Sequence, residues 1–338
     1  MAGDGFLSGY WGPTGHFAIA QTACGLVEGD DLRDFFRRHE PLITPSWGPN
    51  PPDDPTIFQP LADVPDHIWK QHAHPYVRPH EKPNHWAEID RVDADGTSLL
   101  DRMRRRPVAS MTIAAWLDFY AQTKPPTSPK DMGLVPFRVA QLYRLAVDSL
   151  RAGDDLRGFT AAGVLAHYVG DACQPLHLTV NSDDPKGVHE AYEGRMVDAH
   201  QHDIRSAVLN AKPPGGKRVV GDKAVLRLMG SLMVWSCKTL SPATISAAYA
   251  AGAHNADALW AKFGPQTNAL IIRGSETLAV LWSSIWAEAG AAPPTATITQ
   301  DDVKTLYLDA SFAPSLYLTE LSAQQQPAHA QPAGSPPR

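Results

Sequence analysis

The chain has 338 residues, of which 43% are hydrophobic, and 30 Lys and Arg against 36 Asp and Glu give a formal net charge of -6 at pH 7. This balance is typical of a globular protein with a sizeable core, and a strongly basic groove of the kind that binds duplex DNA is not expected from it. No apolar run reaches the ~18–20 residues that a membrane-spanning helix needs. Residues 1–10 are too short and too uncharged for a complete secretory signal. We therefore expect a cytoplasmic protein, or a secreted or periplasmic one if a longer leader precedes this sequence.

Helical periodicity predicts an all-α fold with a single large multi-helix domain, because no alternating pattern of strand length occurs. The long stretch 41–83 is rich in proline and is predicted to be an irregular loop that is either functional or mobile. We expect a leader remnant or extension at 1–10, a helical domain at 11–290, a C-terminal extension at 291–322 and a disordered tail at 323–338. Helices are predicted at 11–27, 30–39, 134–151, 154–170, 189–210, 222–240, 247–263 and 267–289, with breaks at 213–216, 242, 264–265 and 293–294.

Cys24, Cys173 and Cys237 stand alone, without the paired spacing of a zinc ribbon or of a disulfide framework. Cysteine is among the most frequently buried residue types. The sequence therefore favours three buried free thiols over the alternative, in which one pair forms a disulfide in an oxidising compartment.

Histidines and carboxylates recur at helical spacing between residues 167 and 193. His167 and Asp171 are four residues apart, which places both on one face of a helix. His177 follows a proline that is expected to end that helix, and His189 and Glu193 repeat the four-residue spacing. Imidazole nitrogens and carboxylate oxygens are the ligands that zinc takes where thiolates are absent. One such pair more often forms a local hydrogen bond than a metal site. With two pairs and a third histidine, a zinc site and purely local hydrogen bonds are about equally supported.

The run from His167 to His177 (HYVGDACQPLH) resembles the central motif of the zinc-dependent single-strand nucleases, which form one superfamily with the bacterial zinc-dependent phospholipases C. Further elements are similar to that family in the same order. They are Trp11 with His16 five residues on, Leu61-Ala62-Asp63, Asn84-His85-Trp86, and Gly187-Val188-His189 with Glu193. The spacing of the last pair is closer to the phospholipase branch. The resemblance spans residues 11–290 and implies a helical fold of the phospholipase C/nuclease type.

The resemblance implies two or three zinc ions. Asp63, His85, His167 and Asp171 would hold the first ion, and His177, His189 and Glu193 would hold the second with positions left for water and substrate. His16 and Asp171 would hold the third, which in the family is completed by the backbone of the N-terminal tryptophan, here Trp11. The expected chemistry is attack on phosphorus by a hydroxide shared by two zincs, with Asp63 as the catalytic group that orients it.

Two departures from the family pattern leave alternatives open. Ten residues precede Trp11, so its nitrogen is an amide unless a leader is removed. Asp63 and His85 are 22 residues apart, longer than in the family, which leaves Asp66 as a rival for the same ligand position.

The expected function is therefore hydrolysis of phosphate ester bonds, by an endonuclease-like phosphodiesterase acting on single-stranded nucleic acid or a nucleotide. One alternative is a phospholipase C acting on a lipid head group. A second is a non-catalytic helical protein in which the zinc is structural. No protein partner is predicted.

Overall fold

A computed structural model describes residues 12–45, 54, 56–70, 75–78 and 81–314 of the chain. The described part is helical and forms no strand, with only isolated bridges between Val92 and Ser98 and between Asp93 and Thr123. The all-α, single-domain prediction is confirmed. None of the described helices is long and apolar enough to cross a membrane.

Two α-helices precede residue 44 of the described chain, and the others follow residue 98. They are α1 (Gly12–Leu26), α2 (Asp30–Ile43), α3 (Leu99–Arg105), α4 (Pro107–Ser110), α5 (Ile113–Gln122), α6 (Pro129–Met132), α7 (Val135–Arg151), α8 (Asp155–Cys173), α9 (Val188–Glu190), α10 (Val197–Ala199), α11 (Gln201–Ala207), α12 (Gly221–Thr239), α13 (Pro242–Ala250), α14 (Ala256–Ala289) and α15 (Gln300–Leu308). Wider π-helical turns occur at Pro65–Trp69 and Ala191–Met196, and tight 3-10 turns at Lys82–His85, Pro175–Leu178 and Val208–Asn210.

Helix α8 is the centre of the molecule. It is buried on all sides from Gly158 to Cys173, as expected for a helix inside the core of a large domain. The side chain of Asp154 caps it by accepting a hydrogen bond from the backbone N–H of Arg157. Helices α7, α14 and α1 pack around it, so that any polar side chain on α8 lies in the interior.

Helix α14 departs from the prediction, because a break at 264–265 was expected and the helix continues through Pro265. Its second half is buried around Trp282, and this packing outweighs the backbone hydrogen bond that proline removes. The predicted helix at 247–263 is also wrong. Gly252 has a left-handed φ of 104°, and Asn255 caps the start of α14 by accepting from the N–H of Ala258.

The predicted helix at 189–210 is divided into α9, a π-helical turn, α10, α11 and a 3-10 turn. Within the predicted loop at 41–83, α2 extends to Ile43, and short helical turns stand at Pro65–Trp69 and Lys82–His85. Helices α3 to α6 and α15 were not predicted.

The residues after 290 join the same core, since Val303, Tyr307 and Phe312 are buried in it. The three cysteines are buried free thiols, as predicted. The predicted N-terminal extension at 1–10 and the tail at 323–338 lie outside the described residues.

Candidate metal centre

Three groups of histidines and carboxylates meet in the interior beside α8. In each group the candidate ligand atoms lie within 4.8 Å of one another. One group is His16, Asp66 and His167, a second is His85, His167 and Asp171, and a third is His177, His189 and Glu193. Of the sequence-predicted ligands, these groups contain all but Trp11, which lies outside the described residues, and Asp63.

Asp171 lies at the centre of the first two groups. Its Oδ2 is 3.0 Å from Nδ1 of His85 and 3.3 Å from Nε2 of His167. Its Oδ1 is 3.7 Å from Nε2 of His16 and 2.9 Å from Nδ1 of His177. One carboxylate therefore contacts histidines from four segments of the chain, a position from which it can bridge two ions.

Asp66, and not Asp63, lies within this arrangement. Oδ1 of Asp66 is 3.3 Å from both Nδ1 of His85 and Nε2 of His167. Asp63 belongs to none of the three groups, and its Oδ2 is 3.3 Å from Nε2 of His67. Asp66 is the second residue of the π-helical turn at Pro65–Trp69, whereas Asp63 precedes this turn.

Backbone carbonyls fix the orientation of two of the histidine rings. Nδ1 of His167 is 2.8 Å from the carbonyl of Ala62, and Nδ1 of His177 is 2.9 Å from the carbonyl of His85. A carbonyl only accepts, so each Nδ1 carries the proton and donates it. The Nε2 atom of each ring is thereby directed toward the cluster, as outer hydrogen bonds do for metal-ligating histidines.

The third group opens onto a cavity of about 280 Å³. Nε2 of His189 is 2.9 Å from Oε1 of Glu193, and Nε2 of His177 is 3.2 Å from Oε2 of the same carboxylate. Gln174 donates a hydrogen bond to Glu193 and accepts one from the N–H of Leu176. The cavity is lined by His177, His189, His85, Trp86, Glu88, Asp131, Leu176, Thr179 and Ser182.

Two features of the chain bring these ligands together. Gly170 lies against the ring of His16, and a Cβ at this position would stand 2.5 Å from Nδ1 of that ring. Glu193 lies in the π-helical turn Ala191–Met196, a type of turn that often occurs at functional sites. The four-residue spacing of His189 and Glu193 indicated their proximity, but nothing in the sequence indicated the wider turn.

Burial and charge divide the histidines into two kinds. Burial lowers the pKa of His16 and of His85 to about 3, so both rings are neutral at pH 7. Burial acts in the same direction on His167 and His177, but Asp171 and its neighbouring carboxylates outweigh it and raise the pKa of each to about 10. In turn His167 and His177 hold the pKa of Asp171 well below its usual range, against the effect of burial.

These residues fit a metal ion. Both ring nitrogens of His16, Oδ1 of Asp171 and Oε1 of Glu193 are buried without a hydrogen-bond partner of good geometry. Buried polar groups are almost always satisfied, and the exceptions need an explanation such as a bound ion. The clusters can therefore bind metal.

No protein-family model matches the chain. The chain is similar to a protein of Bradyrhizobium tropiciagri named "Probable serine protease", with 30% identity over 386 residues. The similarity covers 93% of this chain and 49% of that protein, so the chain spans about half the length of its relative.

This similarity overturns the predicted activity. The relative is named for a protease, and the predictions of a phosphodiesterase, a nuclease and a phospholipase C are wrong on this finding. Those predictions depended on the resemblance of the motifs and on the type and spacing of the ligands, and the same ligands serve metal ions in hydrolases of different substrates.

A serine nucleophile needs a base within hydrogen-bond reach. Among the described residues, no serine hydroxyl makes a hydrogen bond to a histidine ring. Ser182 lines the same cavity as His177 and His189 without such a bond. The described part of the chain thus contains the metal clusters but no hydrogen-bonded pair of a serine hydroxyl and a histidine ring.

Proposed function

We propose that the chain is a metal-dependent hydrolase domain that cleaves peptide bonds. One observation carries the proposal: His177, His189 and Glu193 form a two-histidine, one-glutamate group at the wall of an open cavity. Three protein ligands with an open position are typical of catalytic sites, whereas structural sites are closed by four. The protease name of the relative supports the peptide bond as substrate.

We further propose zinc as the metal, since histidine and carboxylate without thiolate is a donor set that zinc takes. The motif order that resembles the nuclease and phospholipase superfamily is, in this proposal, a shared arrangement of ligands that serves a different substrate. When bound, the ion would supply a water of lowered pKa and polarise the scissile carbonyl.

Two further side chains would have roles at this site, one in orienting a ligand and one in donating a proton. Gln174 holds the carboxylate of Glu193 toward the two histidines through its hydrogen bond. Burial raises the pKa of Glu88, which lines the same cavity, although Arg91 opposes this effect. A carboxyl with a raised pKa suits general acid catalysis, and we assign Glu88 to protonate the leaving amine.

The test is metal content together with hydrolysis of a fluorogenic peptide mixture by the purified chain. Activity is measured untreated, after chelation, after zinc is restored and after a serine-reactive fluorophosphonate. His177→Ala is compared with His200→Ala. His200 is the matched control because it also contacts carboxylates, Asp203 at 3.0 Å and Asp257 at 3.2 Å, but belongs to none of the three groups.

The proposal expects zinc in the wild type, loss of activity with chelator and with His177→Ala, and no effect of fluorophosphonate or of His200→Ala. Inhibition by fluorophosphonate with full activity after chelation would instead establish a serine hydrolase. In that case Ser182→Ala becomes the decisive variant, because Ser182 lines the cavity beside two histidines. A zinc-loaded chain that cleaves no peptide would overturn the proposed substrate.

A further inference from the structure

A second concave site lies on the outer face of α12 and α14, away from the metal clusters. Two cavities of about 310 and 220 Å³ adjoin there and share Lys217, Leu228, Arg273 and Thr277 in their walls. The loop that connects the 3-10 turn Val208–Asn210 to α12 forms the rest of the rim. We name this feature the α12–α14 groove.

The charge of the groove is opposite to that of the whole chain. Four basic side chains line the larger cavity, namely Lys217, Arg218, Arg227 and Arg273. Among the described residues, no acidic side chain lines it. Lys212 adds a fifth positive charge in the smaller cavity, where Glu276 is the one acidic wall residue within the described part. The chain carries a formal net charge of -6, so this concentration of cations is local.

The nearby carboxylates neutralise the cations only in part. Glu28 pairs with Arg218 and also accepts from the N–H of Gly216. Glu276 is 3.7 Å from Nη1 of Arg273, beyond hydrogen-bond distance, and accepts from the N–H of Lys212.

The remaining cations have donors to spare. Arg227 uses Nε on the carbonyl of Lys223, and its terminal nitrogens form no hydrogen bond with the described residues. The ammonium groups of Lys212 and Lys217 contact no carboxylate in the described part of the chain. The larger cavity is therefore lined by the guanidinium of Arg227, the ammonium of Lys217 and the guanidinium of Arg273, which Glu276 neutralises only in part. The smaller cavity adds the ammonium of Lys212.

We infer that the α12–α14 groove binds an anion of the phosphate class, held by Arg227, Arg273 and Lys217. Converging cations repel one another, and an anion with several acceptor oxygens relieves this repulsion while it accepts charge-assisted hydrogen bonds. Arginine and lysine are the side chains that bind phosphate oxygens, arginine through two parallel N–H groups and lysine as a point charge. The inference does not depend on the activity proposed for the metal centre. The bound anion belongs either to a soluble phosphorylated compound or to the head group of an anionic lipid.

The experiment measures binding of pyrophosphate by isothermal titration calorimetry at low ionic strength, on the full chain before and after metal chelation. Arg227→Gln and Arg273→Gln are each expected to weaken binding at least tenfold. Arg105→Gln, an exposed arginine of α3 outside the groove, is the matched control and should bind as the wild type. Melting temperatures of all variants are recorded, so that loss of fold is told apart from loss of binding.

Sedimentation with vesicles of phosphatidylcholine alone, or with 30 mol% phosphatidylserine added, separates the two sources. Binding to the anionic vesicles that both arginine variants lose and pyrophosphate displaces assigns the groove to a lipid head group. Pyrophosphate binding without vesicle binding assigns it to a soluble ligand. Absence of saturable pyrophosphate and vesicle binding in the wild type, or equal binding in the folded arginine variants, overturns the inference.

Discussion

Replacing Gly170 by alanine tests whether the position of His16 matters for metal binding. The new Cβ would lie 2.5 Å from Nδ1 and 2.9 Å from Cε1 of the His16 ring, whereas ordinary van der Waals contacts of a Cβ lie between 3.4 and 4 Å. The ring must therefore shift by about 1 Å. A shift of this size moves the ring nitrogens of His16 relative to Asp66 and His167, the other members of its group.

The expected loss follows from the same geometry. Disturbing the support of a ligand typically lowers metal affinity by about 10- to 100-fold, or about 1.4–2.8 kcal/mol. Overpacking costs about 1–3 kcal/mol of stability, and replacing a helical glycine with alanine returns about 1 kcal/mol. Gly170→Ala is thus expected to fold, with a melting temperature lowered by a few degrees and at least one metal bound more weakly.

The assay is competition for zinc against a coloured chelator, with Gly158→Ala as control. This control makes the same substitution in the same helix, and its Cβ would lie 2.6 Å from Cγ of Leu150, far from any ligand. It should lose comparable stability and keep full metal affinity. Equal zinc affinity and stoichiometry in Gly170→Ala and in the wild type would refute a role of His16 as ligand.

The other predictions concern buried charge. Adding zinc to the metal-free protein at pH 8 should release about two protons, because His167 and His177, with pKa values of about 10, must both lose a proton to bind the ion. An indicator-dye titration that shows no proton release contradicts their assignment as ligands. Since both pKa values are raised above 6.5, their contribution to the stability of the metal-free protein is complete below pH 6.5 and is lost as pH rises through about 10. Melting temperatures recorded from pH 6 to 10 should fall, and a rise would count against the argument. Glu81→Ala removes the carboxylate that pairs with buried Arg138 and should cost about 3–5 kcal/mol in urea unfolding. Asp222→Ala breaks the half-exposed pair with Arg144 and should lower the free energy of unfolding by no more than about 1 kcal/mol. Equal losses in the two variants would show that burial does not determine the contribution of an ion pair to stability.

Periodicity and caps were sufficient for the long helices. The predicted helices at 134–151 and 222–240 lie within one residue of α7 and α12, because their apolar faces repeat without interruption. The continuation of α14 through Pro265 could not be predicted, since it depends on packing around Trp282 from elements far away in sequence. Short helices such as α3 to α6 have too few turns for periodicity to distinguish them from loops.

The candidate site was predictable where two ligands share one helix. His167 and Asp171 were expected on one face of a helix, and their ligand atoms are 3.3 Å apart. The choice between Asp63 and Asp66 was not predictable, because the two lie in the same short stretch and the sequence does not indicate the π-helical turn that contains Asp66. The substrate was not predictable either, because ligand spacing describes the ion and not the molecule that approaches it.

The metal groups unite segments that are far apart along the chain, from His16 in α1 to Glu193 beyond α9. An ion held by them acts as a cross-link between the first helix of the domain and its middle. Ligand that binds only the folded chain adds about 2.7 kcal/mol to stability when present at a hundred times its dissociation constant. The supply of metal would thus set the lifetime of the folded protein, and in a metal-poor medium the chain would be most open to proteases.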